Sequence, residues 1–192
     1  MDFYPDSRLQ NWIKKINESE VREDDPDSLS VFEQMLEDVI IACFSILNAV
    51  KNREIKKAEA IKELEKIASS FNKDYKLNSD LKTDIFMLTA EAIKASIESF
   101  RYYLEGKFSR KSIKELIKDA LENEKNGKLD MAFDSIAKVG AKVIKGEKLP
   151  DLNLQEDSVI LSWLDGVDAI GMVVELSKID ASEEIAEDET GE

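Results

Sequence analysis

The side chains best suited to chemistry in this sequence are carboxylates spaced one helical turn apart on lysine-rich stretches. They form three pairs, which are Glu33 and Glu37, Glu59 and Glu63, and Glu115 and Asp119. Mg²⁺ binds through oxygen ligands alone, so paired carboxylates on facing helices would suit a metal-dependent hydrolase of nucleotides or phosphoesters. The same spacing also suits solvated helix faces that carry i,i+4 pairs with lysine. We expect the second arrangement, with no metal site.

The other groups that usually carry catalysis are missing. The chain has no histidine, which removes Ser-His, Cys-His and zinc arrangements as well as the Glu-x-x-His di-iron pattern. The stretch "GAKVIKGEK" lacks the Gly-Lys-Ser/Thr ending of a phosphate loop. Cys43 lies inside the apolar run "VIIACFSILNAV" and is expected to be a small buried hydrophobic residue. We therefore assign no catalytic residue and no cofactor, and a non-enzymatic protein is favoured over the carboxylate-only hydrolase.

One apolar segment, "ILSWLDGVDAIGMVVEL" (160–176), reads as a buried helix but contains two aspartates, whose presence there requires an explanation. At 100° per residue the apolar side chains form one stripe, and Asp165 and Asp168 lie on a neighbouring strip with Met172. The aspartates could bond the backbone or a lysine of an adjacent helix, which we favour, or they could line a cleft beside Trp163 and receive a cationic ligand. The candidate binding residues are therefore Trp163, Asp165, Gly166 and Asp168.

The same segment contains two glycines with different expected roles. Gly171 lies within the apolar stripe, where a missing side chain would let another helix approach closely. Gly166 lies elsewhere, and it costs about 1 kcal/mol of helix stability relative to alanine.

Two rows of lysines are candidates for a basic surface. Lys111, Lys114 and Lys118 line the fifth predicted helix, and Lys138, Lys142 and Lys145 line the sixth. Such rows could meet an acidic partner or a phosphate backbone, but no arginine or aromatic side chain is interleaved to grip phosphates or stack bases. A plain solvent face is the favoured interpretation, and nucleic-acid binding is not expected.

Composition indicates a soluble globular protein with acidic ends. Of 192 residues, 43% are hydrophobic and 35% are charged, and the net charge is −14. The start "MDFYPDSRLQ" does not resemble a secretory signal, and the longest apolar run, of about 12 residues, is shorter than the roughly 20 that a bilayer requires. We expect a cytoplasmic protein without membrane association.

Hydrophobic periodicity predicts an all-α, single-domain bundle of about seven helices over residues 1–179. A short docking helix over 7–17 is followed by an acidic linker over 18–29 and by six further helices, over about 30–52, 54–71, 79–104, 110–126, 129–145 and 160–176. Ser30 with Glu33 is spaced as a capping box, and Ser109 is placed to cap the fifth helix. The second and seventh helices are expected to be central, and the acidic tail 180–192 is expected to be disordered.

A faint internal echo links "KNREIKKAEAI" (51–61) with "KNGKLDMAFDSI" (125–136). It permits a repeated three-helix unit with a period near 75 residues, although similar turn chemistry also explains it. The helices joined by "NGKLDMAFDSIAKVGA" look like one tetratricopeptide-like hairpin. A single hairpin predicts stacking geometry and no peptide groove, because solenoids need about three units.

Four longer blocks follow one another over nearly the whole chain: "FYPDSRLQNWIKKI", "EDVIIACFSILNAV", "GAKVIKGEKL" and "SWLDGVDAI". Together they resemble an archaeal family known as a domain of unknown function, number twenty-one fifty. The matching positions are Trp12, Ala42, Cys43, Gly140, Val143, Ile144, Gly146, Trp163, Gly166 and Asp168. Asp165 stands where the family has asparagine. The resemblance implies a euryarchaeal cytosolic protein and supplies no activity, substrate or ligand.

These observations predict a helical interaction or adaptor protein. We expect it to act through protein-protein contacts or self-association, with a protein partner or a homo-oligomer. The alternative is the carboxylate-only hydrolase, and its distinguishing feature would be four or more carboxylates that converge in one cleft with Asp165 or Asp168 among them.

Overall fold

The structure, a computed structural model, describes residues 2–150 and 158–189, with side chains as far as Leu176. These residues form an all-α bundle with no strand, as the sequence predicted, and they pack around one main hydrophobic core and a small second cluster at Tyr102, Ala137 and Ala141. Its helices are α1 (Asp6–Glu18), α2 (Ser30–Lys51), α3 (Lys57–Ser70), α4 (Asp80–Glu105), α5 (Ile113–Lys125), α6 (Leu129–Ile144) and α7 (Val159–Glu189). A 3₁₀ helix, Pro26–Leu29, immediately precedes α2 and occupies the end of the predicted linker.

Helix starts agree only in part with the predicted caps. Ser112, and not Ser109, forms the capping box of α5 with Glu115, because the chain from Gly106 to Arg110 remains irregular. The predicted box of Ser30 and Glu33 is wrong, since the 3₁₀ helix runs directly into α2 and no side chain caps it. The turn before α2 thus replaces the side-chain cap.

α4 is the helix around which the bundle is built, since it contacts α2, α3, α6 and α7. The expectation that the second and seventh helices are central omitted α4, which contacts both of them. α2 does bury most of its apolar run, including Cys43, which confirms the prediction for that residue. One side of α2 nevertheless faces solvent, and Ile41 on that side is about half exposed.

Small residues explain why α6 and α7 approach α4 so closely. A Cβ atom added to Gly166 of α7 would lie 2.3 Å from the backbone oxygen of Ala92, and one added to Gly140 of α6 would lie 2.0 Å from Ser99 Oγ. At Gly171 the nearest atom, on Val143, would be 3.5 Å away, which is ordinary contact. The predicted roles of the two α7 glycines are therefore reversed, and Gly166 is the close-approach position.

Polar bonds fix α1 to the rest of the bundle, as expected for a docking helix. Asp38 of α2 accepts hydrogen bonds from Arg8 Nε and Trp12 Nε1, both at 2.8 Å. At the other end of α1, the buried Lys82 donates to the carbonyl oxygen of Asn17 at 2.9 Å. A cation at a helix C-terminus also interacts favourably with the helix dipole.

The start of α7 is held by α5. Glu124 accepts hydrogen bonds from the backbone N–H of Val159 at 2.9 Å and from the hydroxyl of Ser158. A carboxylate at a helix N-terminus satisfies a free amide and complements the dipole.

The end of the chain can be compared with its predicted boundaries only in part. The backbone of α7 is helical as far as Glu189, which differs from the disordered tail predicted over 180–192. Residues 190–192 lie outside the described residues.

α5 and α6 do form a hairpin, with Gly127 at a φ of 68° in its turn. The repeated unit and the tetratricopeptide likeness stay predictions.

Candidate functional site

A groove between α2, α4 and α7, here called the acidic groove, combines an apolar floor with carboxylates. Its volume is about 560 Å³. Ligand sites commonly measure roughly 300–1,000 Å³ and are mostly apolar. The floor is made of side chains from the three helices and from the turn before α2: Leu29, Phe32, Leu36, Ile85, Ala92 and Ala169.

Two large apolar side chains of the acidic groove face solvent. Leu88 of α4 is 57% exposed and Met172 of α7 is 55% exposed. Single exposed apolar residues are common, but apolar side chains grouped over an apolar floor mark binding surfaces.

Four carboxylates line the same groove in two pairs. Glu33 and Glu37 lie one turn apart on α2, and Asp165 and Asp168 lie three residues apart on α7. All four residues are exposed, and the described lining contains no lysine or arginine. Among the described residues, none of these four side chains makes a hydrogen bond or an ion pair. The interpretation of Asp165 and Asp168 as ties to a neighbouring helix therefore stays a prediction without a contact to support it.

The surroundings of Asp165 disfavour the ionised form of its carboxyl group. Partial burial in the groove, and then the negative charge of Asp168, raise the pKa of the Asp165 carboxyl above its ordinary value. Within the described part of the chain, no cation acts on this carboxyl in the opposite direction. A positive group brought to the acidic groove would relieve this cost.

The other two candidate binding residues do not face the acidic groove. Trp163 is only 4% exposed, packs edge-to-face on Phe133 and donates from Nε1 to Glu91 Oε2 at 3.3 Å. Gly166 is buried against the backbone of Ala92. Asp165 and Asp168 are thus the predicted site residues that line the cleft, whereas Trp163 and Gly166 hold α7 in place.

Leu88, Glu33 and Glu37 line this site but were not among the predicted binding residues. The two glutamates were noticed as a carboxylate pair, but nothing in the local pattern places α2 beside α7. The position of Met172 on the same strip as the two aspartates was the usable signal. Only tertiary packing joins the three helices into one surface.

The carboxylates do not form a metal centre within the described residues. Four of them share one groove, as the hydrolase alternative required, but no group of three or more aspartate, glutamate or cysteine side chains is close enough to hold an ion. Of the other pairs, Glu59 accepts from the Lys56 backbone, Glu115 accepts from the Ser112 backbone, and Asp119 pairs with Lys111. These side chains have local structural partners.

Three of the six lysines in the two predicted rows are paired with acidic side chains, and the basic surface stays a prediction. Lys111, Lys138 and Lys142 are paired with Asp119, Asp134 and Glu147, respectively. Lys145 lies over the ring of Phe108 at 5.1 Å from its centroid. Lys114 and Lys118 are exposed on α5.

A larger groove of about 660 Å³ lies between α4 and the chain before it, and it has mixed charge. Three lysines and four carboxylates line it, and Glu91 is already paired there with Lys94 at 2.8 Å. The acidic groove is distinct because all its charges have the same sign and remain unpaired among the described residues.

Comparison with known proteins gives one result. A family model described as an uncharacterized protein conserved in archaea (DUF2150) matches residues 2–184. No curated protein and no solved structure matches the chain. Among the helices described, none combines the length and apolar character needed to cross a membrane.

Proposed function

Since the chain belongs to this DUF2150 family of archaeal proteins, whose description names no activity, we propose its function from its own geometry. It is a non-enzymatic, cytoplasmic interaction protein that docks another protein chain in the acidic groove. One observation carries the proposal: unpaired carboxylates and exposed large apolar side chains line the same surface. Both features become more favourable when a complementary partner covers them.

The apolar part of the groove supports a protein partner in particular. Phe32 and Leu36 are buried in the floor, while Leu88 and Met172 project beside them. Protein interfaces bury such apolar centres and keep their charges at a hydrated rim. The acidic groove has the same combination of a buried apolar floor and exposed charged side chains.

The hydrolase alternative receives less support from the same residues. Within the described chain the four groove carboxylates include no trio placed to hold a metal ion. Calorimetric titration with Mg²⁺ or Mn²⁺ is expected to give no binding heat. A saturable heat that Asp165→Asn removes would favour the hydrolase.

A photo-crosslinking amino acid at Leu88 or Met172 tests the docking proposal in the full chain. Either probe, incubated with lysate from an archaeon that encodes this protein, is expected to capture a discrete protein. The double variant Leu88→Glu with Met172→Glu, crosslinked from a probe at Ile85, should lose that capture. Both substituted residues are exposed, so the fold is expected to tolerate the change.

The matched control is Leu129→Glu with Met131→Glu on α6. These residues are 48% and 55% exposed and lie away from the acidic groove. The control should retain the crosslink. Equal capture by both double variants, or no protein captured from any groove position, would refute docking at this surface.

A further inference from the structure

We propose that the occupant of the acidic groove is a basic amphipathic helix of another protein. Its apolar residues lie on the floor beside Leu88 and Met172, and its lysine or arginine side chains meet the carboxylates on α2 and α7. This inference rests on the proposed docking function and specifies the chemistry of the partner.

The groove favours a helix over an extended peptide. Extended peptides usually bind by adding a strand to a sheet edge, which supplies backbone hydrogen bonds. The described residues contain no strand, and the walls of the groove are helices whose backbone groups are already bonded within each helix. An α-helix satisfies its own backbone and binds through side chains at i, i+3, i+4 and i+7, which an apolar floor can receive.

The spacing of the carboxylates matches a helical partner. Glu33 and Glu37 are four residues apart, about 6 Å along α2, and Asp165 and Asp168 are three apart, about 4.5 Å along α7. Basic residues one turn apart on a partner helix have the same spacing. The described lining has no lysine or arginine, so the occupant must supply the positive charge.

Charge argues against a second copy of this chain as the occupant. Each copy carries a net charge of −14, so two copies repel one another as they approach. A small polycation such as spermidine would satisfy the carboxylates but has no large apolar group to cover Leu88 and Met172. A basic amphipathic helix satisfies both parts of the groove.

Fluorescence anisotropy with three labelled synthetic helices tests the inference on the full-length protein. The first helix has leucine at i, i+3, i+4 and i+7 with lysine on the flanks. The second has the same leucines with glutamate on the flanks, and the third keeps the lysines but replaces leucine with glutamine. The wild-type protein is expected to bind the first at least about tenfold more tightly than either other helix.

Two charge-removing variants assign the binding to the carboxylates. Asp165→Asn with Asp168→Asn, and separately Glu33→Gln with Glu37→Gln, should each weaken binding of the first helix by about five- to tenfold and flatten its salt dependence. The control, Glu122→Gln with Asp130→Asn, removes two exposed carboxylates near the α5–α6 turn. It makes the same change in net charge and should leave binding within about twofold, since only the groove is involved.

The outcomes separate this inference from the docking function. Equal binding of the basic and acidic helices, or no binding of the basic helix, overturns the inference, while the photo-crosslink still decides whether a protein docks. Full displacement of the basic helix by spermidine alone overturns it in favour of a small polycation. Light scattering that shows a dimer lost in Leu88→Glu with Met172→Glu overturns it in favour of a second copy.

Discussion

Gly166→Ala isolates the contact that holds α7 against α4. The added Cβ atom would lie 2.3 Å from the backbone oxygen of Ala92 and 2.6 Å from Ser96 Oγ. Ordinary contact begins at 3.4 Å, so the methyl group is about 1 Å too close to an atom that cannot rotate away. The helices must separate locally to accommodate it.

Two opposing terms determine the magnitude. Replacing glycine by alanine inside a helix favours folding by about 1 kcal/mol. Overpacking a filled interface typically costs about 1–3 kcal/mol, and a clash with backbone belongs at the upper end of that range. Gly166→Ala is therefore expected to lower the free energy of unfolding by about 2 kcal/mol.

Gly171→Ala provides the matched control on the same helix. There the new Cβ atom would meet Val143 Cγ1 at 3.5 Å, which is ordinary contact. Only the helix-propensity term remains, so this variant should be more stable than the wild type by about 0.5–1 kcal/mol. Guanidinium unfolding followed by circular dichroism measures both variants. The reasoning fails if Gly166→Ala matches or exceeds the wild type, or if the two variants change stability in the same direction.

Three other predictions concern separate contacts. Gly140→Ala should lower the free energy of unfolding, because the added Cβ atom would lie 2.0 Å from Ser99 Oγ. Adding Ser99→Gly should recover at least about 1 kcal/mol of that free energy, and additive losses in the double-mutant cycle would contradict a direct contact. Glu124→Ala should cost about 1–2 kcal/mol in unfolding free energy, because its carboxylate accepts the first backbone N–H of α7. Glu124→Gln keeps an acceptor oxygen and should cost less; equal costs would contradict a contribution from the hydrogen bond itself. Partial burial and the charge of Asp168 raise the pKa of Asp165 in the folded protein, so ionisation reduces stability as pH rises above about 4. Asp165→Asn should thus be more stable than the wild type at pH 7, and the two free energies of unfolding should converge as the pH falls below about 4. A pH-independent gap would contradict this reasoning.

The helices were predictable because each depends on a local pattern. The apolar run around Cys43 and the stripe containing Trp163 identify buried faces whatever the rest of the chain does. The caps at Ser30 and Ser109 were predicted wrongly because a cap depends on the path of the preceding chain. Local spacing does not record that path.

The candidate site was only partly predictable, because it is made by packing between distant segments. Asp165 and Asp168 were recognisable as carboxylates on an otherwise apolar helix. Their association with Glu33 requires α2 to lie beside α7, and the function of Gly166 requires the backbone of Ala92 to be its neighbour. Periodicity gives the face of each helix but not the helix that covers it.

The position of Gly166 between the two groove aspartates has a kinetic consequence. Both carboxylates project from the part of α7 where Gly166 packs against the backbone of α4, so their separation is fixed before a partner binds. A preorganised binding site of this kind needs little rearrangement when a partner binds. The association rate then depends mainly on electrostatic attraction during diffusional encounter. Substitutions of the exposed side chains at the rim of the acidic groove would consequently change the association rate and the selectivity for partners, while the packing of α7 on α4 stays the same.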